Sequence, residues 1–83
     1  MTPDEKRQRL REILEAVADA ELKAGAKKAE NLLWMASQVD CIPEGHLAFE
    51  EREMLSLYEK ARMGVLLMEE ATRELCRIRF KLP

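Results

Sequence analysis

Cys41 and His46 stand five residues apart, with Asp40 and Glu44 beside them, and these are side-chain types from which a metal site is built. A structural zinc generally takes four Cys or His ligands, whereas this stretch supplies one of each, so His46 reads as a solvated loop histidine near a helix start. Cys–His or Ser–His nucleophilic catalysis needs a third group to orient the base, inside a formed pocket, and the thin helical architecture derived below offers little concavity. Glutamates at 50, 51, 53, 69 and 70 have the chemistry for general acid–base work. Their arrangement as Glu50-Glu51-Arg52-Glu53 and Glu69-Glu70 suits solvated helical faces instead, with pairing such as Glu69 to Arg73. The Glu-x-x-His signature of di-iron bundles and a glycine-rich phosphate loop are both missing from the sequence. The expectation is a non-enzymatic chain with no catalytic residue, metal ligand or cofactor.

Binding chemistry is the alternative to catalysis. Trp34 shares its side of the first predicted helix with Lys27, Glu30, Asn31 and Gln38, so an indole on this polar face is a candidate interface anchor or a cover for the helix end. Met35, Met54, Met63 and Met68 fall at spacings that suit core filling, with an adaptable binding surface as the other use of methionine. Basic residues gather near both ends: residues 1 to 11 carry four against two acidic side chains, and Arg73, Arg77, Arg79 and Lys81 accompany Glu74. Those last four are the candidate nucleic-acid contacts. Cations equally suit a helix C-terminus, and no recognition-helix pair, zinc finger or set of stacking aromatics points to base readout.

These residues must be positioned by helices. The chain is 36% charged and 5% aromatic with a net charge of −2, a composition of solvated helices rather than sheets. Thr2-Pro3-Asp4-Glu5 supplies a cap, a first-turn proline and a capping-box acid. From there Leu10, Ile13, Leu14 and Val17, then Ala29, Leu32, Leu33, Ala36 and Val39, recur at helical spacing. Between the two sets the apolar stripe rotates by roughly a quarter turn around Gly25, which signals a kink or a break. A lone glycine without proline or a turn cluster favours one bent helix over about residues 3 to 39. Asp40-Cys41-Ile42-Pro43-Glu44-Gly45-His46 interrupts it. A second helix is predicted over about residues 47 to 79, with Met54, Tyr58, Ala61, Gly64, Val65 and Met68 in its stripe. The fold class is therefore all-α: a single domain, 1 to 83, formed as an antiparallel helical hairpin roughly 50 Å long. In it Cys41 and Cys76 lie ~45 Å apart, too far for a bridge, and read as free thiols in a reducing compartment.

Val65, Leu66, Leu67 and Met68 form an unbroken apolar row. With Met54 at 0° and 100° per residue, Val65 and Met68 join the inward stripe, whereas Leu66 falls near roughly 120°, beside Leu55, and Leu67 near roughly 220°. A two-helix hairpin has nothing to cover those flanks. Trp34, Leu55, Leu66 and Leu67 are thus the expected protein interface, with a homodimeric four-helix bundle as the economical solution. The opening residues lack a signal-peptide core and no run approaches the ~20 apolar residues of a membrane span, so a cytoplasmic location without membrane insertion is expected.

In length, in its Cys41-Ile42-Pro43-Glu44-Gly45 turn and in the Ala61-x-x-Gly64-Val65 pattern, the chain resembles two groups of small acidic helical hairpins. These are the cochaperones of type III secretion needle subunits and the phage proteins that inhibit host regulators or motor ATPases. The resemblance implies a protein-binding role and assigns no individual residue. The functional expectation is an inhibitor, adaptor or chaperone that docks an apolar helical face on another protein. A small nucleic-acid-binding accessory protein is the alternative.

Overall fold

The computed structural model describes residues 2–25, 27, 29–47 and 49–79, the side chains of 75–79 excepted. Among them four α-helices follow one another: α1 (Pro3–Lys23), α2 (Ala29–Ser37), α3 (Glu51–Arg62) and α4 (Met68–Arg79). Two short 3₁₀ turns, Val39–Cys41 and Glu44–His46, lie between α2 and α3, and no strand occurs among the described residues.

The start of α1 follows its sequence. Thr2 is the N-cap, its Oγ1 accepts the Glu5 N–H at 3.2 Å, and its hydroxyl donates to the Glu5 carboxylate at 3.2 Å. Pro3 occupies the first turn, where an amide hydrogen has no helical partner to lose.

Each of the two long predicted helices is divided, and both divisions occur at a glycine. α1 ends where Gly25 adopts φ +78° and donates its N–H to the Leu22 carbonyl at 3.0 Å. The quarter-turn rotation of the apolar stripe explains why a break replaces the expected bend: one continuous helix would aim its two halves at different cores. Broken, the chain folds α2 back along α1, and Ala29, Leu32 and Ala36 join Leu10, Ile13, Leu14 and Val17 in one core. The second division is at Gly64, φ +71°. Its N–H reaches the Ala61 carbonyl at 3.1 Å, and the Val65 N–H reaches the Lys60 carbonyl at 3.0 Å. That paired 5→2 and 6→1 closure is a Schellman motif, which only a residue at ease in the left-handed region forms without strain.

The loop expected at 40–46 is also longer than its sequence signal, since α3 begins at Glu51 rather than near residue 47. Leu47 and Phe49 are buried from within this connection, two residues apart, as core plugs rather than helix residues. Three cationic side chains of α1 hold the connection in place. Arg7 Nε and Nη2 donate to the Ile42 carbonyl at 3.3 and 3.1 Å, Lys6 Nζ to the Leu47 carbonyl at 3.3 Å, and Arg11 Nη2 pairs with Asp40 at 2.6 Å. The result is a bundle of 35 × 25 × 17 Å, shorter and thicker than the ~50 Å hairpin. α1 is its centre, packing against α2, α3 and, less extensively, α4.

Candidate functional site

The site with the clearest shape is the short connection between α3 and α4. Because the Schellman turn at Gly64 reverses the chain, the residues after it do not continue the helical wheel. They alternate: Val65 is 57% exposed, Leu66 is 5% exposed, and Leu67 is 61% exposed. Met68 then starts α4 half-buried against the core. Met63, the C-cap of α3, is the most exposed large apolar residue among those described, at 75%. Three large apolar side chains within five residues thus stand in solvent as a strip, anchored from beneath by Leu66.

This geometry reassigns part of the interface expected from the sequence. Leu66 belongs to the chain's own core and Val65 to its surface, the reverse of the angular reading, because that reading carried a helical period across a turn. Leu67 is exposed as expected, and so is Leu55 on α3. Leu55 and Arg62 are seven residues apart and share one face of α3, where Glu59, Arg62 and Met63 outline a shallow depression. Met63, whose spacing suited core filling, escaped the sequence reading as a surface residue. Its signal was available, since Lys60 and Arg62 followed by Gly64 is the charge and residue pattern of a helix end.

Trp34 is 54% exposed on α2, away from the apolar stripe that Leu32 and Ala36 bury. A second apolar feature runs between α1 and α2, where Leu22 and Leu33 are partly exposed over Ala36 and the flank is lined by Glu15 and Asp19.

The basic residues are put to structural use in α1. Lys6, Arg7 and Arg11 hold the 39–47 connection, and Arg9 pairs with Glu12 at 3.2 Å while stacking 4.2 Å above the Tyr58 ring. Arg62 approaches the same ring at 5.6 Å, which fixes its guanidinium at the edge of the strip. Of the candidate nucleic-acid contacts, Arg73 is exposed on α4. The side chains of Arg77 and Arg79, the whole of Lys81, and the thiol of Cys76 lie outside the described residues.

Around His46 the residues considered for metal do not converge. Cys41 is an exposed free thiol, Asp40 is engaged by Arg11, and no group of three His, Cys, Asp or Glu side chains could hold a metal among the described residues. His46 is half-buried rather than solvated, and its Nε2 is enclosed without a hydrogen-bond partner among them. No described helix is long and apolar enough to cross a membrane. No protein-family model, curated protein or solved structure matches the chain.

Proposed function

We propose that this chain is a non-enzymatic protein-binding module, which acts as an inhibitor, adaptor or chaperone by docking the Met63–Leu67 strip on another protein surface, self-association into a homodimer included. The observation that carries the proposal is the exposure of Met63, Val65 and Leu67 within five residues, on a turn whose backbone is pinned by the Schellman hydrogen bonds and by buried Leu66. Exposed apolar side chains scattered singly need no explanation, but a cluster presented on a fixed turn is ready to bind with little ordering cost. Trp34 and Leu55 are secondary anchors of the same kind.

The nucleic-acid alternative draws less support, because four of the basic side chains near the N-terminus are occupied with internal partners. The test is the double variant Val65→Glu/Leu67→Glu. It should retain the helical circular dichroism and melting temperature of the wild type while losing association in sedimentation and in capture of a purified partner. Raising salt should leave wild-type association largely intact, whereas phosphate contacts would weaken steeply. Association that survives the double variant would remove the strip from the binding surface.

A further inference from the structure

The charges on either side of the strip say what covers it. The last turn of α3 carries Lys60 and Arg62, the first turn of α4 carries Glu69 and Glu70, and the exposed Met63, Val65 and Leu67 lie between them. The strip therefore has a basic edge at one end and an acidic edge at the other. Such a surface is its own complement under a two-fold rotation. Turning a second copy by half a turn about Val65 lays Met63 over Leu67 of the partner subunit and each basic edge over the opposite acidic edge, twice by symmetry. A partner of uniform charge would meet one matched edge and one opposed edge. Arg62 and Glu69 are both exposed, and Arg62 is steadied by the Tyr58 ring.

We propose that the strip is closed by a second copy of this chain, in an isologous contact where Arg62 of each copy pairs with Glu69 of the other. The proposal rests on the docking reading above and narrows it to one occupant and one orientation. Apolar contact supplies the attraction, and the paired edges set the register. Leu55, on the Arg62 face of α3, lies where it extends the contact. Three to four side chains cover less than the ~800 Å² per partner of a standard interface, so the dimer is a weak, concentration-dependent one.

Charge reversal tests the orientation directly. Arg62→Glu alone sets two like-charged pairs across the axis, and Glu69→Arg alone does the same. Each single variant should self-associate about tenfold more weakly than the wild type at low salt, since an exposed ion pair contributes up to ~1 kcal/mol and two are inverted. Mixing the two single variants should restore association as a heterodimer. On one side of the axis the introduced glutamate of one copy then faces the introduced arginine of the other, and on the opposite side the native Arg62 faces the native Glu69. The variant carrying both changes should self-associate like the wild type. Native mass spectrometry of isotopically distinguished chains reads the heterodimer, and sedimentation equilibrium reads the affinities. Recovery in the double variant without recovery on mixing would mean that Arg62 and Glu69 pair within one chain, which overturns the proposal. Dimers that ignore charge reversal yet are lost in Leu67→Glu would overturn the orientation while leaving the docking reading intact. A wild type that stays monomeric at millimolar concentration would overturn the second copy as occupant, again without touching the wider reading.

Discussion

Replacing Gly64 by alanine separates the divided α3–α4 arrangement from a continuous helix by the sign of one number. In the structure Gly64 has φ +71°, and a Cβ built there meets no atom within 4 Å. The substitution therefore brings no steric clash, and its folded-state cost is the left-handed backbone itself, ~1–2 kcal/mol for an L-residue. Alanine also narrows the unfolded ensemble, which offsets ~0.4–1 kcal/mol of that cost. The net expectation is a destabilisation of about 1 kcal/mol, equivalent to a fall of about 4–8 °C in Tm for a domain of this size. Were residues 47 to 79 a single helix, Gly64 would be an interior helical glycine, and alanine would stabilise the protein by ~0.5–1 kcal/mol. Urea titration at low protein concentration, with association suppressed, measures the difference. Gly45→Ala serves as the control, because Gly45 lacks a positive φ and its Cβ also meets open space. That variant should be neutral or slightly stabilised. A Gly64→Ala protein more stable than the wild type would refute the turn, and with it the alternation that exposes Val65 and Leu67.

Leu66 and Leu67 are adjacent and chemically identical, yet Leu66→Ala should cost ~2–5 kcal/mol as a core truncation while Leu67→Ala should stay within ~0.5 kcal/mol in the monomer; equal losses in denaturant titration would contradict the inward and outward assignment. Thr2→Ala removes the side chain that accepts the Glu5 N–H and should cost ~0.5–2 kcal/mol, with faster hydrogen exchange confined to the first turn of α1.

Local chemistry was legible in the sequence wherever a single residue type controls it. Thr2 capped the helix that its own pattern announced, and the Pro43–Gly45 region separated helices as expected. The breaks at Gly25 and Gly64 were obscured for a shared reason: apolar residues on both sides still fell at spacings a helical wheel accepts. At Gly64 the wheel even took Val65 and Met68 into one stripe, although the chain reverses between them. Charge carried the missing information. Lys60 and Arg62 before the glycine and Glu69 and Glu70 after Met68 match the dipoles of one helix ending and another beginning. Of the expected interface, Trp34, Leu55 and Leu67 are exposed because their outward placement holds on short helices as well as long ones or falls in the turn itself. Leu66 and Val65 exchanged roles because their orientation depends on the turn, whose hydrogen bonds close over a few residues and leave no periodic trace.

The central position of α1 has a consequence for how the molecule tolerates change. The other three helices lean chiefly on α1, so the packing has the form of a hub with spokes rather than a ring. In such a plan, an error in one spoke remains local, while an error in the hub reaches every spoke at once. The connections between spokes carry little of the packing, and lengthening one flexibly costs only ~0.6 kcal/mol per doubling. Sequence drift is therefore channelled: the inward face of Leu10, Ile13, Leu14 and Val17 is held nearly fixed, while the α3–α4 turn is free to exchange Met63, Val65 and Leu67 for other surface chemistries, so that a new partner can be acquired without rebuilding the scaffold.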